Sequence, residues 1–467
     1  MGSLAMEGGD HDQPLQVVMF PSLGFGHIFP FIHLSNALAA NGIKITFLTL
    51  PSLVPKIRLA LDPTIPILNY KLPAIDGLPS DVDSTAGSGQ VLADLLSQAL
   101  DATRPQIATI LGKLAPQVVV FDSIQGWVPE VAESLGIKSV YFCVFTAITA
   151  ASTILFGLTP HQRPSLSRLR LPPRPLLSSY LSMKPYEVRG MLSNTNGSGP
   201  APSNFSRLVS CMARCDAIAL KSVYEMEASV IKYLSTRCRK PVLPTGVLLP
   251  KAPAGDIEPK LTQWLNKFPK GTVVFCSFGS ESYLSGKQMK ELVVGLELSG
   301  FPFLAVLNTP ADVPKGKRQE LEAEIFGEKA EGRGIVRSGW VNQQLILRHP
   351  AVGCYVNHAG YSSIMEAVEG GCQLVMAPLK GDQYMNMKLM VVELRAAVNI
   401  NRRAWDGWFT REAVGKAVRT VMVEGSKKGK VVRANNAKLR EILLQEGLQE
   451  DYTKGFITKL KELVASP

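Results

Sequence analysis

Short apolar runs and segments of helical period take turns along most of this chain. In the first half, LQVVMF (15–20), ITFLTL (45–50), IPILNY (65–70), VVVFD (118–122), the run 139–144 and AIALKS (217–222) are short and mostly apolar, with many β-branched or aromatic residues. They read as buried strands. Between them a helical pattern begins with Ile32, Leu34, Ala37 and Leu38, and 91–114 and 128–135 carry helical spacing too. The second half repeats the scheme. TVVFCSF (272–278), FLAVL (303–307), GIVR (334–337), VGCYVN (352–357) and LVMA (374–377) are its strand candidates. Residues 284–299, 319–327, 383–395, 411–424, 431–445 and 453–465 are its helices. Strands separated by helices predict parallel sheets with right-handed crossovers, an α/β doubly wound class.

The rhythm breaks twice. Residues 161–207 are crowded with Pro, Ser, Arg and Asn, which predicts a long functional or mobile loop. LLPKAPAGDIEP (248–259) reads as a linker. The 467 residues exceed what one hydrophobic core usually supports, so the expected division is an N-terminal domain over 1–247 and a C-terminal domain over 260–445. Ligands of doubly wound sheets bind beyond the carboxyl ends of the strands, which suggests a cleft between the two.

Two strand ends carry candidate chemistry. After VGCYVN, the turn His358–Ala359–Gly360 leads into a helix marked by Tyr361, Ile364, Met365 and Val368. The unpaired amides and positive dipole of such a helix start hold phosphate. After the first strand, FPSLGFGHIFP (20–30) places His27 at a helix start. Gly24 and Gly26 hint at a dinucleotide fingerprint, but the third glycine and the acidic residue after the second strand are missing. Asp122 closes VVVFD, and the ends of strands one and four can lie close, so a carboxylate-oriented histidine base is one reading. Helix capping by either residue is the other. No G-x-S-x-G elbow completes a hydrolase triad.

Composition narrows the classes. With 46% hydrophobic and 19% charged residues the chain is globular rather than disordered. Its formal net charge of +11 is spread out. The clusters Lys427, Lys428, Lys430 with Arg433, and Arg168, Arg170 with Arg174, come without a nucleic-acid motif, so a solvated basic surface is expected. Seven cysteines, an odd number without CxxC spacing, indicate a reducing, cytoplasmic setting. The acidic start lacks signal-peptide order. The uncharged stretch Ser139–Thr159 contains several Ser and Thr and reads as a strand running into a buried helix, so no stable membrane insertion is expected.

The stretch 340–383 closely resembles the signature box of plant UDP-sugar-dependent glycosyltransferases. Trp340, Gln343, His349, His358, Gly360, Ser363, Glu366, Asp382 and Gln383 stand at that family's spacing. GFGHIFP, FDS and VVFCSFGS extend the resemblance over nearly the whole chain. It implies the GT-B fold, two Rossmann-like domains facing a cleft, as a monomer. The acceptor would bind in the N-terminal domain and the UDP-sugar in the C-terminal one, with the final helix (446–467) packing back on the N-terminal domain.

Carried over by position, the resemblance stacks Trp340 on uracil, with Val341 and Gln343 near base and ribose; a lone loop tryptophan could instead pack in the core. His358, Gly360 and the amides of the next helix would hold the diphosphate, with hydroxyls from Ser280, Ser362 and Ser363. Glu366 would bind the ribose hydroxyls. Ser363 and Glu366 also fit an S-x-x-E capping box. Asp382 and Gln383 would grip the donor sugar, or simply cap a helix. Thr146 would join them or be a buried threonine. Gly26 and His27 would border the acceptor, with His27 as base and Asp122 orienting it for inverting transfer. The UDP-sugar is a co-substrate, and neither cofactor nor metal is implied.

Tyr361–Ser362 stand where the family usually has Trp–Asn, and Asn342 where it has Pro. With GWVNQQLILRHP and NRRAWDGWF (401–409), these departures resemble a subgroup that adds a sugar to a sugar already on a flavonoid or terpenoid. UDP-glucose, with which Gln383 is compatible, is the expected donor, while such relatives also use UDP-xylose, UDP-rhamnose or UDP-arabinose. Aglycone glucosylation and non-catalytic nucleotide-sugar binding are the alternatives.

Overall fold

A computed structural model of the chain describes residues 14–85, 90–157, 183–192, 202–249, 255–279, 282–309, 327–329 and 332–466, with single positions 316 and 325. Its first sheet is built from β1 (Gln16–Phe20), β2 (Lys44–Thr49), β3 (Ile67–Asn69), β4 (Val118–Phe121), β5 (Lys138–Cys143), β6 (Ala217–Leu220) and β7 (Val242–Pro244). All pairs are parallel, in the order β3-β2-β1-β4-β5-β6-β7. β4 and β6 are buried at every residue, as strands covered on both faces must be.

The second sheet contains β8 (Val273–Ser277), β9 (Phe303–Val306), β10 (Gly327–Lys329), β11 (Gly334–Arg337), β12 (Val352–Asn357), β13 (Gln373–Met376) and β14 (Ala397–Asn399). Its order is β10-β11-β9-β8-β12-β13-β14, parallel except for β10, which runs antiparallel to β11. Strand order reverses between β1 and β4 in one sheet and between β8 and β12 in the other. These switch points open the crevices that hold ligands in doubly wound folds.

Local chemistry moved several boundaries. The first helix (Phe25–Ala39) has His27 in its first turn, as expected, ahead of the apolar periodicity that begins at Ile32, because the Gly24 carbonyl accepts from the amides of both His27 and Ile28. The pattern over 91–114 divides into Gln90–Ala102 and Arg104–Leu114, with Pro105 at the second start, where its missing N–H costs nothing. The pattern over 383–395 is a short α-helix, Gln383–Lys388, continued by a π-helical turn, Leu389–Glu393. Within 161–207, helices Pro185–Leu192 and Asn204–Arg214 are described. The helix expected over 319–327 falls almost wholly outside the described residues, as does the middle of the linker.

The last helix, Leu448–Ala465, packs on the first helix and on β7. Gln449 fastens it: Oε1 accepts from Leu248 N at 2.9 Å and Nε2 donates to the Thr245 carbonyl at 2.7 Å. Gly246, at φ +83°, lies where any Cβ would collide with that amide. All seven cysteines are free thiols. Among the described residues, no helix is long and apolar enough to cross a membrane.

Candidate functional site

β1 and β4 are neighbours in register, Phe20 beside Phe121, so the residues just beyond them share one crevice. Asp122 lies there with no exposed surface. Its oxygens accept from Ser22 N and Oγ, both at 3.1 Å, and from Ser123 N at 2.6 Å and Oγ at 3.0 Å. His27, in the first turn of its helix, brings Nδ1 to 2.9 and 3.0 Å from the two oxygens. Burial alone would push the Asp122 carboxyl up, but the adjacent imidazole and these donors hold it below its ordinary value. An ionised carboxylate only accepts, so Nδ1 carries the proton and Nε2 the lone pair, the tautomer a general base needs. Gly26 is exposed, with open space around it.

Across the cleft, the helix Tyr361–Glu369 begins at Gly360, which acts as its N-cap without a side-chain bond. Ser363 and Glu366 therefore sit inside the helix, and they form no capping box. Both instead accept from Gln343 Nε2 at 3.1 Å, at Ser363 Oγ and Glu366 Oε2. Gln343 Oε1 accepts from Ser277 Oγ at 2.8 Å and Tyr355 Oη at 3.0 Å. Those four bonds exhaust the amide, so the side chain of Gln343 acts as a strut for Ser363 and Glu366. Gln344 Nε2 reaches Glu366 Oε1 at 3.0 Å, a contact not foreseen in the sequence. Desolvation raises the Glu366 carboxyl despite both amides. Trp340 is 82% exposed, so it does not pack in the core, while Val341 is half-buried.

The turn before that helix is held by strain and by bonds. Ala359 takes φ +65°, and its amide donates to Asn357 Oδ1 at 2.7 Å. His358 lies against Gly279 and Gly360; a Cβ on Gly360 would come within 2.5 Å of its Nε2. Burial, then the charge of Lys380, pulls His358 down to about 4, so it is a neutral ring at pH 7. Its Nδ1 is buried with no hydrogen-bond partner among the described residues. Ser362 Oγ accepts from Lys221 Nζ at 2.7 Å. Ser280 lies outside the described residues.

Asp382 is the N-cap residue of helix Gln383–Lys388, its carbonyl accepting from Met385 N and Asn386 N, but its carboxylate makes no capping bond and accepts from Asn386 Nδ2 at 2.8 Å. Desolvation raises its pKa, and the hydrogen bond from Asn386 opposes the rise. Asn386 also donates to the Ala359 carbonyl at 2.9 Å and accepts from Thr146 Oγ1 at 3.0 Å. Thr146 is fully buried, and its hydroxyl meets Asn386 and Thr149. Gln383 Oε1 accepts from Leu379 N at 2.9 Å and Lys380 N at 3.1 Å, and Nε2 donates to Ser282 Oγ at 2.9 Å. His349 binds Asn266 Oδ1 at 3.2 Å and its own chain at Ala351, in a turn-forming role. Among the described residues, no group of His, Cys, Asp and Glu side chains is placed to hold a metal ion.

Two parallel-sheet domains whose switch points face one cleft are the GT-B class of glycosyltransferases. The crystal structure of Glycyrrhiza uralensis UGT73P12 complexed with glycyrrhetinic acid 3-O-monoglucuronide has this fold, with a TM-score of 0.75 at 23% identity over 97% of this chain and 96% of that one. The family described as "UDP-glucoronosyl and UDP-glucosyl transferase" matches residues 222–438. An anthocyanidin-3-O-glucoside rhamnosyltransferase of Petunia hybrida is 42% identical over 96% of both chains. An anthocyanidin 3-O-glucoside 2'''-O-xylosyltransferase of Arabidopsis thaliana is 36% identical over 98% of this chain and 99% of its own. The chain belongs to the UDP-glycosyltransferase family and is an enzyme of that family.

Proposed function

We propose that this enzyme moves a hexose or pentose from its UDP-sugar, with inversion, to a hydroxyl of a sugar already carried by a flavonoid or terpenoid glycoside. The observation that carries the chemistry is the His27–Asp122 pair, 2.9 Å apart beyond the neighbouring ends of β1 and β4. In this reading residues 1–247 form the acceptor side and 260–445 the donor side, joined by 248–259 and braced by the helix within 446–467. Trp340, with Val341, covers the uracil, and Glu366, propped by Gln343 and Gln344, receives the ribose hydroxyls. His358, Ser280, Ser362, Ser363 and the amides after Gly360 take the diphosphate. Asp382 and the remaining amide hydrogen of Gln383 meet the donor sugar, while Thr146 acts through Asn386 to position Asp382.

Beside Gly26, His27 Nε2 then removes the acceptor proton as the oxygen attacks the anomeric carbon opposite UDP. Asp122 stabilises the imidazolium that forms. Charge leaving with the diphosphate meets the amides of that helix start and the serine hydroxyls. The acceptor class rests on the relatives named above and on the Tyr361–Ser362 variant of the box. Its test is one panel of UDP-glucose, UDP-rhamnose, UDP-xylose and UDP-arabinose against flavonoid and terpenoid aglycones and their monoglucosides. Monoglucosides should react in preference, giving disaccharides of inverted linkage; faster turnover of the free aglycones would refute the acceptor assignment.

A further inference from the structure

Lys221 follows β6 directly, in the N-terminal domain, yet its ammonium reaches the other domain. The residue is 2% exposed, and Nζ donates to Ser362 Oγ at 2.7 Å and lies 5.7 Å from the centre of the Tyr361 ring. Those two residues open the helix Tyr361–Glu369. Glu366 on that helix and His33 on the first helix both feel the charge of Lys221, but among the described residues no carboxylate lies in ion-pair contact with it, its bond going to Ser362. A buried ammonium held by one neutral hydroxyl and a ring face is costly to keep charged. Desolvation accordingly draws Lys221 down to about 8, with Glu366 opposing the shift, so it is still mostly protonated at pH 7.

Glu366 acts on the ammonium without a bond to it, so an anion in contact is missing, and the helix start supplies the place for one. Unpaired amides at the first turn favour negative charge. The Ser362 hydroxyl, accepting from the ammonium, keeps its own proton to donate. We propose that Lys221 is a diphosphate-binding cation, carried by the N-terminal domain to the helix terminus where the C-terminal domain binds UDP. It pairs with the phosphate oxygens of the donor and meets the charge that develops on the leaving UDP. Because it comes from the opposite domain, the diphosphate is then held by both walls of the cleft. This rests on the donor-site reading given above.

The test compares UDP with uridine, which shares every base and ribose contact but carries no phosphate. Calorimetry on the full-length wild type, Lys221→Met and Lys221→Arg separates the two. Lys221→Met should weaken UDP by ~10-fold or more while uridine affinity stays within about twofold, and Lys221→Arg should recover most of the loss. Unchanged UDP affinity in Lys221→Met overturns the proposal, as does an equal loss for uridine and UDP, which would mark Lys221 as an interdomain clasp. A wild type that binds neither molecule overturns the donor-site reading and this proposal with it.

Discussion

Replacing Asp122 with Asn isolates the catalytic argument, because it removes one charge and keeps the side-chain shape. In the wild type, both carboxylate oxygens are surrounded by donors: two serine amides, two serine hydroxyls and His27 Nδ1. An asparagine offers one acceptor oxygen and one donor group, so it must turn its NH2 toward either a backbone amide or the imidazole. Facing the imidazole, it forces Nδ1 to accept and moves the ring proton to Nε2, where it blocks the base. The lost charge matters separately. A carboxylate and an imidazolium with charge centres about 4 Å apart attract by about 4 kcal/mol at an effective dielectric near 20. That is roughly a thousandfold in kcat, and the reversed tautomer takes the loss toward about 10⁴-fold. The assay is initial-rate kinetics with UDP binding measured in parallel. UDP affinity should hold, and His27→Ala combined with Asp122→Asn should be little worse than His27→Ala alone, since the two act as a unit. A kcat within tenfold of wild type would refute the pairing, and so would a matching fall in UDP affinity.

The remaining expectations concern donor binding and pH. Glu366→Ala removes the acceptor for the ribose hydroxyls and should weaken both UDP and uridine by about 1.5–3 kcal/mol, the value of hydrogen bonds to a charged group; unchanged affinity by calorimetry would remove its ribose role. Trp340→Ala should leave unfolding within about 0.5 kcal/mol of wild type, since the ring is 82% exposed, yet reduce UDP affinity through lost stacking. A large loss in urea stability would instead make that tryptophan structural. His33 and His358 are both held down to about 4 by burial, with Lys221 and Lys380 respectively adding repulsion. The unfolded chain therefore binds more protons between pH 6.5 and 4, and these two residues withdraw stability as pH falls through that window, by at most about 1.4 kcal/mol per pH unit each. Comparing urea unfolding of wild type and His33→Asn/His358→Asn across that range cancels the carboxylates; parallel slopes would contradict it.

The sequence by itself determined the class of fold, because buried parallel strands must be short and apolar and their crossovers must be amphipathic. β4 and β6 are such cases. It also determined the family, since 340–383 keeps chemically demanding residues at fixed spacing. It offered His27 and Asp122 as a pair at two strand ends, with helix capping as the other reading, and the pairing of β1 with β4 in the sheet brought them together. Only the tertiary structure decided what each polar side chain does. Periodicity records which way a residue faces; it holds nothing about partners far along the chain. Lys221 meets Ser362 from 141 positions away, and Thr146 meets Asn386 from 240. Both contacts exist only because two domains, each folded by its own local pattern, close on a common cleft. The same holds for Gln343, whose side chain proved to be a strut for Ser363 and Glu366, and for the S-x-x-E pattern, which lies one turn too far into its helix to cap it. A hydrogen-bonding group buried where two domains meet takes the partner that geometry brings, and that geometry is a property of the assembled fold.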